Sequence, residues 1–149
     1  MTTASMVVRL PEEVGRRPWP VWISFATPCT GLFIPVYLDG VIPARLAHAS
    51  RDPGGGPRLP TARIDSAWEA MRTLQERATE DFSRSLPRIR TGWRDMERSI
   101  ELERIRVEQE VAGLFATDRF DDGEQALSLF MEKTADRLIE TSDRIARSL

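Results

Sequence analysis

Val21-Trp22-Ile23-Ser24-Phe25-Ala26-Thr27-Pro28-Cys29-Thr30-Gly31-Leu32-Phe33-Ile34-Pro35-Val36-Tyr37-Leu38 is the most strongly patterned stretch of the chain. Val21 to Ala26 alternates large and small residues and predicts a strand. Pro28 to Gly31 breaks it. Leu32 to Leu38 predicts the next strand, with Asp39-Gly40 as its turn. Pro35 inside that run points to an edge position or a bulge, because proline donates no ladder hydrogen bond. Strands this apolar cannot stand in water as an isolated hairpin. They require a covering layer.

Working outward, Ser5 to Leu10 predicts a preceding strand, closed by Pro11, with Glu12 to Pro18 as a polar turn region. Arg51 to Pro60 predicts a loop, since three glycines lie between prolines. A phosphate cradle there would need Gly-Lys-Ser/Thr and an immediate helix start, and the sequence has neither. Beyond residue 60 the composition turns to Arg, Glu, Leu, Ile and Ala with helical periodicity. A first helix is predicted from about Asp65 to Phe82, capped by Asp65 or Ser66, with Glu69 in its first turn. Its stripe is Ile64, Trp68, Met71, Leu74 or Gln75, Ala78 and Phe82. A second starts at Ser85 as cap, with Pro87 near its first position. It reaches Leu114 or Phe115, about 30 residues and roughly 45 Å. Ile89, Trp93, Met96, Ile100, Val107, Val111 and Leu114 form its stripe. A third runs from Asp121 or Asp122 to the end, with Leu127, Phe130, Met131, Leu138 and Ile145 inward. The fold expected is α+β: short antiparallel strands in residues 1–60, three amphipathic helices in 61–149, together one incomplete domain.

Composition narrows the chemistry. The chain has 149 residues with a net charge of −2, so it lacks the basic surplus of a nucleic-acid binder. No apolar run approaches the roughly 20 residues of a membrane helix. Met1 to Leu10 lacks the pattern of a signal peptide, and a single cysteine excludes an internal disulfide. A cytoplasmic protein is expected, with no membrane or nucleic-acid partner. One His, His48, and one Cys, Cys29, are too few for a zinc cluster, and neither metal nor cofactor is expected. Asparagine is absent, which excludes an oxyanion hole built on that side chain.

The residues that could carry chemistry each have a plainer reading. Cys29 with His48 would make a nucleophile-base pair; a buried small residue at a strand end is the reading preferred. The run from Asp118 to Glu124 looks like a calcium loop, but Phe120 and Leu129 fall on ligand positions. A helix start with acidic residues explains it better. Glu101, Glu103, Glu108 and Glu110 alternate with Arg98, Arg104 and Arg106. Paired catalytic carboxylates are one reading, and a solvated face of ion pairs is the preferred one.

The stretch from Val21 to Leu38 resembles the late part of the secernin and dipeptidase family, cysteine-type N-terminal-nucleophile hydrolases. The shared pattern is an aromatic-rich strand, then Pro-Cys-Ser/Thr, then Phe-x-Pro. Thr3-Ala4-Ser5-Met6-Val7-Val8 looks like the strand just before it. Asp65-Ser66-Ala67-Trp68 and Leu86-Pro87 to Trp93 look like the family's C-terminal helices. The resemblance covers most of the chain, though only the first stretch is distinctive. It implies part of an αββα sandwich, and in the intact protein amide-bond hydrolysis through an acyl-enzyme on an N-terminal Cys. Here Met1 precedes Thr2 and no Cys is near. The matching cysteine of the family, at Cys29, is not its nucleophile. The chain is therefore expected to be the C-terminal third or so of a secernin-like dipeptidase, inactive alone, with no catalytic residue of its own.

Under that resemblance, Pro28, Cys29 and Thr30 are the substrate-pocket candidates, walling a pocket in complex with a chain that carries the catalytic half; a tight turn is the plainer reading. The apolar side chains of Val21, Trp22, Ile23, Phe25, Phe33, Ile34, Val36 and Tyr37 would need cover, so the isolated chain is expected to self-associate. The rival reading is a non-catalytic helical module that dimerises.

Overall fold

Hydrophobic alternation and helical stripes assemble here into one buried cluster shared by both halves of the sequence. The structure is a computed structural model, and it describes residues 4–8, 17–47 and 66–149. The expected loop from Arg51 to Pro60, His48, Asp65 and most of the turn after Leu10 lie outside the described residues.

The fold is α+β. Among the described residues, β1 (Ala4–Val8), β2 (Pro20–Phe25) and β3 (Ile34–Tyr37) form an open antiparallel sheet in the order β1-β2-β3. Trp22 stands opposite Val7 on one side and Pro35 on the other. The Tyr37 N–H donates to Met131 Sδ at 3.3 Å, away from β2. Pro35, two residues earlier, has its missing N–H on that same outer side, since backbone groups alternate along a strand. Proline therefore costs the ladder nothing, and among the described residues β3 is an edge strand, one of the two positions its sequence pointed to.

The same alternation fixes the opposite edge. Trp22 and Ser24 turn their backbone groups toward β1, where Val7 and Ser5 meet them. Ala4, Met6 and Val8 then turn theirs outward.

The helices are α1 (Ala44–Ala47), α2 (Ala67–Glu80), α3 (Phe82–Ala116) and α4 (Phe120–Ser148). Single-turn α1 was not expected from sequence; it buries only Leu46, too little to leave a pattern. Helix α2 starts at Ser66, whose Oγ accepts from the Glu69 N–H at 3.2 Å. Its buried face is Ala67, Ala70, Met71, Leu74, Gln75 and Ala78. The expected stripe was therefore turned slightly: Trp68 is half-buried and Phe82 exposed.

Helix α3 begins earlier than expected. Asp81 caps it, accepting from the Arg84 N–H at 3.2 Å. Ser85 is buried inside the first turns and Pro87 is the sixth helical residue. Asp81 is also the C-cap of α2, so one extended residue separates two helices. Ser85 with Pro87 imitates a start, but the chain has already turned at Asp81.

Helices α3 and α4 form an antiparallel hairpin. Arg88 reaches the Ser148 carbonyl at one end, and Phe115 packs on Gly123 at the other. Between them Asp118 is left-handed, with φ 58. The Arg119 N–H bonds to the Leu114 carbonyl at 3.0 Å and the Asp118 N–H to the Phe115 carbonyl at 3.3 Å. This is a Schellman cap, and it is what the acidic run from Asp118 does. Helix α2 lies along the last part of α4: the Ser142 hydroxyl lies 3.3 Å from Met71 Sδ and Arg77 bonds to the Ala146 carbonyl.

Helix α4 also closes the outer side of β3. Tyr37 packs edge-on to Phe130, with ring centroids 6.1 Å apart, and the Val41 N–H donates to Ser128 Oγ at 2.8 Å. Ile34, Val36 and Tyr37 are buried, and Val21, Trp22, Ile23, Phe25 and Phe33 are half-buried. The covering layer is thus largely the chain's own helices. The largest apolar exposure in the sheet is on β1: Met6 is 67% exposed and Val7 56%. Among the described residues no helix is long and apolar enough to cross a membrane.

Candidate functional site

The turn from Ala26 to Gly31 leaves the end of β2 and is held from two helices. Ala26 is left-handed, with φ 58, which reverses the chain. The Thr30 and Gly31 N–H groups both bond to the Thr27 carbonyl, at 3.2 and 3.0 Å. Gln75 on α2 accepts from the Thr27 N–H at 3.0 Å. Trp93 on α3 donates its indole N–H to the Thr30 carbonyl at 3.0 Å. Trp93 thus fills the core and satisfies a backbone acceptor at once.

The three residues expected at a pocket are separated by this turn. Pro28, with Gly31, lines a cavity of about 350 Å³ between the turn, the sheet and α3. Thr30 is buried, and its hydroxyl pairs with Thr27 Oγ1 at 3.1 Å. Cys29 is exposed. The reading of Cys29 as a buried small residue is thereby corrected: its neighbours Pro28 and Thr30 face the protein and the turn carries the thiol outward. His48 lies outside the described residues.

The cavity has apolar walls in Trp22, Phe33 and Ile100, and Arg90 and Glu97 stand at its α3 side. Both charged residues are exposed, and among the described residues neither has an ion-pair or hydrogen-bond partner. Gly31 is required by close packing, because a Cβ there would lie 2.3 Å from Ser24 Oγ. Ser24 is fully buried, and its hydroxyl has no partner among the described residues.

Trp22 divides this cavity from a second one of about 710 Å³, bounded by Trp19, Ile105 and the Arg104 cluster. Arg104 lies 5.8 Å from the Trp22 ring centre. It grips Glu101 with two bonds of 2.8 and 2.6 Å and Glu108 with one of 2.7 Å. The Tyr37 hydroxyl donates to the other Glu108 oxygen at 2.6 Å. Burial, with Glu108 beside it, pushes the Tyr37 phenol far above its ordinary value, so it stays a donor. The Arg104 hydrogen bonds hold Glu101 below the usual carboxylate range, and Glu101 in turn pushes the Arg104 guanidinium up. Both carboxylates are committed to one guanidinium. The ion-paired face expected from the sequence is therefore a tether, fixing α3 to the sheet through Tyr37 and Trp22.

No family model, curated protein or solved structure matches this chain.

Among the described residues no group of three or more metal-ligating side chains converges. What the site offers is recognition: an aromatic and aliphatic wall, a rigid turn and two unpaired opposite charges. Sequence reasoning reached the turn but missed Arg90 and Glu97. Their seven-residue spacing, on the side of α3 that carries Trp93 and Ile100, was the available signal. It was lost among the chain's 42 other acidic and basic residues.

Proposed function

We propose that this chain is the non-catalytic C-terminal portion of a secernin-like dipeptidase or amidohydrolase, and that it completes the sheet of a segment carrying the N-terminal nucleophile. On this reading the three strands belong to one sheet of an αββα sandwich and the helices cover it. The observation that carries it is the open edge of β1. Among the described residues, the N–H and C=O groups that Ala4, Met6 and Val8 turn outward are unpaired, and Met6, Val7 and Val8 are exposed. An edge with no charge, no proline and no bulge lacks the usual protections against pairing. It is an acceptor for another strand. The turn beside the cavity then walls a pocket and attacks nothing, which fits an exposed Cys29 and a buried Thr30.

The test is complementation. The chain alone is expected to cleave no dipeptide. Co-expressed with the upstream segment of a full-length secernin, it should form a stable complex that does. Met6→Pro removes an outward N–H at an exposed position and should weaken that complex while leaving the chain's own melt unchanged. A stable complex without activity would refute the reading, as would turnover by the isolated chain that vanishes in a folded Cys29→Ala variant.

A further inference from the structure

Arg90 and Glu97 are seven residues apart on α3, close to two full turns, so both lie on one side of the helix. At 1.5 Å per residue their α-carbons are about 10 Å apart along the axis. An extended peptide rises about 3.3–3.6 Å per residue. The two charges therefore span about three residues of extended chain, too far for the ammonium and carboxylate of one amino acid. Between them lies the cavity of about 350 Å³, walled by Trp22, Phe33 and Ile100. That is within the usual range for a small-ligand site, apolar with a few polar groups to fix orientation. Gly31 and the indole-anchored turn make its floor rigid.

We propose that this cavity is a subsite for a short peptide with both ends free. Glu97 takes the α-ammonium and Arg90 the α-carboxylate, with an apolar side chain against Trp22 and Phe33. The assignment rests on the amide-hydrolase reading for its place in a reaction. The binding itself needs only residues of this chain. The opposite signs set the direction in which the peptide lies: its amino end is toward Glu97, farther along α3, and its carboxyl end toward Arg90. Arginine suits the carboxylate because its planar fork gives two parallel bonds.

The experiment is titration calorimetry on the full chain with trialanine, N-acetyl-trialanine and trialanine amide at up to millimolar concentration. Trialanine should bind. Blocking either end should weaken binding about tenfold, the scale of one charge-assisted hydrogen bond at an open site. Glu97→Gln should erase the penalty of acetylation and keep that of amidation; Arg90→Gln should do the reverse. Both positions are exposed, so an unchanged melt is expected, and shifts of the Trp22 indole resonance report the site in each variant. Equal affinity for free and blocked peptides overturns the proposal, as does no binding of trialanine. The outcomes separate from those of complementation. An active complex indifferent to both charges would remove this subsite and leave the hydrolase reading. Peptide binding without complementation would do the opposite.

Discussion

A Cβ on residue 31 would collide with Ser24 Oγ at 2.3 Å, and the same hydroxyl is buried without a partner among the described residues. Those two facts make a coupled pair. Gly31→Ala should destabilise the chain, because the turn is held by Trp93 and Gln75 and cannot retreat. Ser24→Ala removes both the collision partner and a buried polar atom whose desolvation is uncompensated. It should be neutral or stabilising alone, and the double variant should recover most of the loss. Urea titrations of the four proteins check this, with a coupling of about 1–2 kcal/mol expected for contacting residues. Additive effects would show that the collision is relieved elsewhere. At this scale the sequence was partly legible. It marked Pro28 to Gly31 as a break, because proline and glycine punctuate any chain. It gave no sign that Trp93, 63 residues from Thr30, would hold the turn, since that bond exists only once α3 lies beside the sheet.

Elements were more legible than contacts, since periodicity is a local property. The strands and three long helices fell close to the expected positions, and Pro35 pointed to an edge position or a bulge, of which the fold uses the edge. The error at the start of α3 shows where locality fails. Asp81 and Ser85 are both good caps, four residues apart, and Pro87 favours the second. Burial of Ser85 by other elements favours the first, and a local reading does not contain it. The consequence is a proline inside a helix, where it lacks the N–H that would bond the Ser83 carbonyl four residues back, and where a proline ring generally crowds that carbonyl. Pro87 is exposed, so Pro87→Ala loses little packing. It should raise the melting temperature. Asp81→Ala should lower stability by about 1 kcal/mol through loss of the cap. Thermal melts of both variants decide the matter. If Ser85 were the functional cap, Asp81→Ala would be silent and Pro87→Ala would not stabilise.

For the whole molecule, the expectation of a bare apolar sheet gives way to a narrower one. The helices bury Ile34, Val36 and Tyr37 and half-cover Val21, Trp22, Ile23, Phe25 and Phe33. The open edge of β1 stays uncovered among the described residues. A second apolar exposure lies on α3, where Leu102 is 61% and Ile105 41% exposed, one turn apart. Alone in solution, the chain should associate with itself at micromolar concentration. Paired antiparallel about Met6, two copies of β1 would have their outward groups matched: Ala4 would meet Val8, Met6 would meet Met6, and no charge within the strand would oppose a like charge. Five residues of strand fall short of the roughly 1,200 Å² of a stable interface, so the association should be weak and dependent on concentration. Sedimentation velocity over a dilution series measures it. Met6→Pro and Val8→Lys, which block the edge by a lost donor and an added charge, should each yield monomers with the wild-type melt. Leu102→Lys should leave the association intact. If Leu102→Lys dissolves it and the β1 variants do not, the contact is made by α3, and the chain is better understood as a dimerising helical module than as one side of an interrupted sheet.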